Sequence, residues 1–300
     1  MDEVDYARQP AAWDEREEEM EGERATRPQE AAPPRPLGPY DPGRMRLSEE
    51  ERTWALEIKQ AIEANPELDN LNDFCCAQLA LTEEPGDLES TLQRAHHLQE
   101  IRQEYNVVDS FECSKRTVHQ AFDRFPGHFL SFSFSHQEGN YVIVLDFSKQ
   151  PTTKCLKALA EGKELKLREV YYLLQAVTPD FEAMRRGHIV MAECVSVDRN
   201  QGMNVGMYRS IWHIMLAHPA KLQKFKHFHT GVFALQLVSG TKRILPPHVR
   251  SNVEVGCICE SGSLDKLYLQ PSFAEANQRV LRRLEETLQR RYQNEAEFRL

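Results

Sequence analysis

The sequence predicts an α/β chain in which a small all-helical segment precedes a mostly parallel sheet with crossover helices. Two observations predict it. Between residues 48 and 105 the apolar residues recur at the three- and four-residue spacing of amphipathic helices. From residue 129 onward, short runs rich in Val, Ile and Phe alternate with helical stretches. Strands alternating with helices at that spacing are joined by crossovers, and crossovers make parallel sheets. At 300 residues the chain is long enough to bury a sizeable core.

Residues 1–45 stand outside this pattern. They hold twelve Asp/Glu against six Arg, and seven of the sixteen prolines. Such a stretch buries too little to offset its ordering entropy, so it is expected to be disordered, with a short helix at 12–24. Most of the net charge of −9 belongs to this tail. The chain as a whole is therefore no binder of polyanions, and no nucleic-acid partner is expected. The opening "MDEVDYARQP" is acidic and polar, unlike a secretory or mitochondrial leader. Seven cysteines, an odd number, fit reduced thiols and a cytoplasmic location. No stretch approaches the ~20 apolar residues of a membrane span.

The elements follow in order. Ser48 with Glu51 is a capping-box pattern, and Trp54, Ile58 and Ile62 give the helix behind it one apolar face, up to Pro66. A second helix runs through "DNLNDFCCAQLAL" and stops at "EEPG". Asp87 caps a third, with Leu88, Leu92, Ala95, Leu98, Ile101 and Tyr105 on one side. These make up the helical segment at 46–110. "SKRTVHQAF" is a short helix ended by Pro126-Gly127. "FLSFSFS" and "YVIVLDF", joined by "QEGN", form a hairpin. A long helix, "ELKLREVYYLLQAVTPDFEAMRRG", leads into the strand "HIVMAECVSV". Then come the helix "VGMYRSIWHIMLAH", the strand "KFKHFHTG", a helical "VFALQLVSGTKRIL" and a short strand "NVEVGCI". This α/β domain covers 111–271. Residues 272–300 are an amphipathic helix with the stripe Val280, Leu281, Leu284, Leu288 and Tyr292.

Little of this suggests catalysis. His227 and His229 lie on one face of a strand and would join His248 in a metal site, but no carboxylate or Cys stands at ligand spacing, so no metal is expected. Cys257 and Cys259 lack a partner pair at zinc spacing. No Gly-rich loop follows a strand, so no nucleotide cofactor is expected. Asp146 and Glu193 would serve as an acid and a base, yet nothing in the sequence places them together. The basic residues concentrate at Lys221, Lys224 and Lys226, with Lys242-Arg243 following. Both a solvated strand entrance and a contact with an anionic headgroup or membrane fit that pattern. Phe129, Phe132 and Phe134 on one strand and Val142, Val144 and Phe147 on the next fit either a filled core or the wall of an apolar cavity.

The order of these pieces resembles the CRAL-TRIO lipid-binding family over roughly residues 48–270. "FPGHFLSFSFSHQEGNYVIVLDF" is similar to that family's first strand pair, and "REVYYLLQAVTPDFEAMRRGHIVMAECVSV" to its helix-Gly-strand unit. "YRSIWHIMLAHPAKLQKFKHFHTGVFALQLVSGTKRILPPHVRSNVEVGC" matches best. The resemblance implies a sheet that floors a hydrophobic cavity closed by a gate helix, at 232–245. It implies a cavity lined by Phe132, Phe134, Val144, Leu173, Met191, Phe228, Phe233 and Leu237. Headgroup or membrane contact would fall to Lys221, Lys224, Lys226, Lys242 and Arg243. Glu193 stands where the family carries an Asp, which makes it a structural acid. Ala77, Ala80 and Glu83 stand where the family carries Arg, Arg and Lys, and "LDKLYLQP" replaces a Leu-Pro-x-x-Tyr-Gly-Gly ending. The function implied is non-catalytic binding of a small hydrophobic ligand or phospholipid, extending to transfer at transient membrane contacts. The alternative is a protein-interaction module on the same scaffold with a collapsed pocket, working through the acidic tail or residues 272–300.

Overall fold

A computed structural model of the chain describes residues 42–69, 71–125, 129–135, 140–146, 161–194, 205–229, 250, 253–257 and 273–300. The helix expected at 12–24 and the gate helix at 232–245, with Phe233, Leu237, Lys242 and Arg243, lie outside the described residues.

Helix α1 (Glu49–Glu63) begins where the capping box predicts. The Ser48 hydroxyl accepts from the Glu51 N–H at 3.1 Å, and the Glu51 carboxylate accepts from the Ser48 N–H at 2.8 Å. Trp54, Ile58 and Ile62 are buried, as their spacing requires. Helix α2 (Asp73–Thr82) is capped by Asn72, and α3 (Leu88–Glu104) by Asp87. Helix α4 (Phe111–Arg124) starts earlier than expected because Ser110, rather than a later residue, accepts the Cys113 N–H.

Strands β1 (Phe129–Ser135) and β2 (Asn140–Asp146) are the expected antiparallel hairpin. The single long helix expected next is two: α5 (Lys163–Ala176) and α6 (Phe181–Arg186). Pro179 disfavours helical backbone at Thr178 and brings no N–H of its own. Asp180 then restarts the helix, accepting from the Ala183 N–H at 2.9 Å. Strand β3 (His188–Cys194), helix α7 (Val205–Ala217), strands β4 (Leu222–His229) and β5 (Val253–Cys257), and helix α8 (Phe273–Glu297) complete the described elements.

The sheet order is β1-β2-β3-β4-β5, and every pairing after the hairpin is parallel. The chain is thus α/β with a mostly parallel sheet, and residues Tyr40–Leu300 form one compact unit. The helical segment and the last helix belong to that unit rather than standing apart. The first core cluster joins Trp54, Ile58 and Ile62 of α1 to Phe74 and Leu79 of α2 and to Phe181 and Met184 of α6. Phe298 sits edge-on to both Phe181 and Phe74, with centroids 4.8 and 6.3 Å away. On α8, Leu284 and Leu288 of the apolar stripe read from the sequence are buried, while Val280, Leu281 and Tyr292 are half-buried. Among the described residues no helix is long and apolar enough to cross a membrane.

Candidate functional site

The middle of the sheet is held in register by three local devices. Asn140, buried at the start of β2, donates to the carbonyls of Gly187 at 2.9 Å and Arg186 at 3.2 Å. Gly187 has φ +76° and ψ −174°, a conformation essentially confined to glycine. A Cβ there would also lie 2.5 Å from the Lys221 carbonyl oxygen. That same carbonyl accepts from the His188 N–H at 2.9 Å, so β3 and β4 start side by side. The third device is a register shift between His188 and Ile189, which moves β4 by one residue. Side chains on a strand alternate, so a one-residue shift exchanges the two faces of everything beyond it.

The shift decides which face each residue joins. Val190 pairs with Phe225, and Phe225 meets Trp212 of α7 with ring centroids 4.9 Å apart. Ile143 is in register with Val190, and Tyr141 with His188, so they share that helix-covered face. The opposite face carries Val142 with Ile189, then Val144 with Met191. Continuing along the same face, Ile189 pairs with Lys224, Met191 with Lys226 and Glu193 with Phe228. Val142 and Ile189 are buried, while Lys224 is half-buried and Lys221 exposed. An apolar strip therefore runs into two lysine positions on the side away from α7.

The residues expected to line one cavity divide between these faces. Val144, Met191 and Phe228 share the face of the apolar strip. Phe132 pairs with Ile143 and Phe134 with Tyr141, which puts both on the helix-covered face. Leu173 is buried in α5, within the helix layer. Lys224 and Lys226, expected at a headgroup or membrane contact, stand in register with Ile189 and Met191. Glu193 is in register with Asp146, so the sheet brings together two acid positions that sequence spacing left apart. Lys226 is a diagonal neighbour of Glu193 in the register of β3 and β4.

A buried polar network anchors the helix layer beneath, and the sequence reading missed it. Arg291, deep in α8, donates to Gln175 Oε1 at 3.0 Å, to Gln78 Oε1 at 3.1 Å and to Glu295 at 3.0 Å. Its guanidinium lies 3.9 Å over the Phe74 ring. Gln175 passes the chain to the Tyr171 hydroxyl, which donates to Asp109 at 3.1 Å and accepts from Arg102 at 3.0 Å. Asn294 donates to the Pro179 carbonyl at 2.6 Å. The signal was present: Gln78 and Gln175 are lone amides inside apolar runs, "FCCAQLAL" and "YYLLQAV". Burial pushes the Tyr171 hydroxyl and the Cys75 thiol up, and the Cys76 thiol up to about 12, so neither thiol is a ready nucleophile.

A separate cleft of about 320 Å³ opens between the loop before α2, helix α3 and the loop before α4. Asp69, Gln99, Arg102, Gln103 and Asp109 line it, with Leu71 and Val107 as its apolar members. Arg102 and Asp109 are paired with each other at 2.6 Å. This polar lining is poorly matched to a hydrophobic ligand.

Compared with known proteins, the chain matches no family model and no curated sequence.

Proposed function

We propose that this chain binds one small hydrophobic ligand or phospholipid on the face of its sheet opposite α7, without catalysis. The observation that carries the reading is the strip Val142, Val144, Ile189 and Met191, which runs in register into Lys224 and Lys226. An apolar chain laid on such a strip gains roughly 0.8 kcal/mol per CH₂ removed from water. The lysine positions at the end of the strip suit an anionic headgroup, since Lys meets phosphate as a point charge. The resemblance to the CRAL-TRIO family supports the same reading from the order of the elements. On this reading residues 232–245 close the cavity, with Phe233 and Leu237 towards the ligand. Lys221, Lys242 and Arg243 guide transient contact with a membrane, and ligand exchange follows opening there.

Photo-crosslinking tests this. The full chain is incubated with phosphatidylcholine vesicles doped with a diazirine-tailed phospholipid, irradiated and digested. The expected adducts fall on the peptides of β2 and β3. Adducts confined to the outer helices, or none, would contradict the proposal.

A further inference from the structure

Two histidines beneath the sheet take no part in the function proposed above. His188 opens β3 and His218 follows α7, and their side chains are buried at 2 % and 1 % exposure. Among the described residues none of their four ring nitrogens makes a hydrogen bond of good geometry. A buried imidazole in that condition is stable only while uncharged. The His218 ring lies edge-on to Tyr171 of α5, with centroids 5.2 Å apart. The charges acting on it are cationic: Arg291 from α8, Arg102 and Arg94 from α3, and His188 from β3. Each arginine already holds a carboxylate of its own, Glu295, Asp109 and Glu83 respectively. Around His188 burial dominates, and the Lys221 carbonyl beside its ring acts the other way. Burial holds both imidazoles below their ordinary range, His188 at about 4.

The backbone at His218 is where the helices grip. The His218 carbonyl accepts from Arg94 at 3.0 Å. The Pro219 carbonyl accepts from Gln78 at 2.8 Å, and Gln78 accepts from Arg291. So α2, α3 and α8 all hold the turn between α7 and β4, and two of the three arginines acting on His218 belong to that grip.

We propose that His188 and His218 form an acid-operated release for the helices that clasp the sheet. Protonation of His218 places a further positive charge among Arg94, Arg102 and Arg291, and protonation of His188 places one in a buried site where the Lys221 carbonyl already accepts the main-chain N–H. The charge is relieved when α2, α3 and α8 draw away from the turn. Asp180 and Glu169, whose carboxyls burial holds above the usual range, respond to acid with the opposite sign. Variants are therefore compared with the wild type at each pH.

Urea unfolding of the full chain between pH 7.5 and pH 5 is measured for wild type, His188→Leu, His218→Leu and the double variant. Below about pH 6 each histidine should raise the wild-type unfolding constant about tenfold per pH unit relative to the variant that lacks it. Identical pH dependence in wild type and double variant would overturn the proposal. Should a Leu variant fail to fold, His218→Phe keeps the ring's bulk without a titrating nitrogen. Hydrogen exchange on the wild type, corrected for intrinsic rates, gives an independent reading. Amides of α8 and α2 should lose protection at pH 5.5 ahead of those in α5. Uniform loss across the domain, or none, would overturn the release.

Discussion

Replacing Arg291 by Met is the sharpest test of how the helix layer is held. The side chain is 1 % exposed and Met nearly fills its volume, so the change isolates the polar contacts. Two buried amide oxygens, on Gln78 and Gln175, lose their donor. Each orphaned acceptor costs about 1–3 kcal/mol. The contact over Phe74 adds about 1–2 kcal/mol for a desolvated cation over a ring. Glu295 is partly exposed and recovers water, and removing a buried charge returns some desolvation energy. The net expectation is a loss of about 4 kcal/mol, a large part of the 5–15 kcal/mol (order of magnitude) that holds a domain folded. Urea unfolding followed by circular dichroism reads it as a lower midpoint at unchanged slope. A double-mutant cycle sharpens the test. Gln175→Leu removes one orphaned oxygen, while the Tyr171 hydroxyl keeps Arg102 and Asp109. The second substitution should therefore cost about 1–3 kcal/mol less in the Arg291→Met background than in wild type. A loss under about 1 kcal/mol for Arg291→Met, or a strictly additive cycle, would refute this role for the network.

Three further outcomes are expected. Gly187→Ala meets both a glycine-only backbone conformation and the Lys221 carbonyl 2.5 Å away, and should cost about 2–4 kcal/mol in thermal or urea unfolding. Ser48→Ala removes the cap of α1 and should cost about 1 kcal/mol, while Glu51→Ala should cost more, because its carboxylate also binds Arg185 at 2.6 and 2.7 Å. The pH profile carries a definite sign. The folded-state pKa of His188 lies at about 4, below its ordinary 6.5, so its contribution is complete above pH 6.5 and lost as pH falls from there. By pH 4 that single histidine should have withdrawn about 3 kcal/mol from the folded state, measured against His188→Leu.

Much of the fold was legible because periodicity and capping are local. Ser48, Asp87 and the apolar spacing of α1 carry their own geometry, and the strands after residue 129 announce themselves by composition. Pro179 was as visible as any of them, yet the helix was read through it, since an apolar run continued on both sides. The site was legible only in part. Which face Lys224 joins depends on one shifted residue between β3 and β4, and alternation within β4 alone cannot fix that. Phe132 and Phe134 group with Val144 by apolar composition alone, although the hairpin register separates them. Arg291 escaped notice because an arginine within an amphipathic helix reads as its solvated side. Its burial depends on two glutamines more than a hundred residues away in sequence.

A ligand held on the sheet is tested most directly by what the protein carries. The full chain, purified natively, is extracted with solvent and the extract analysed by mass spectrometry. One class of hydrophobic molecule is expected at near one per protein, lost from Met191→Asp with the fold intact. A clean extract, repeated after incubation with mixed phospholipid vesicles, would contradict the claim.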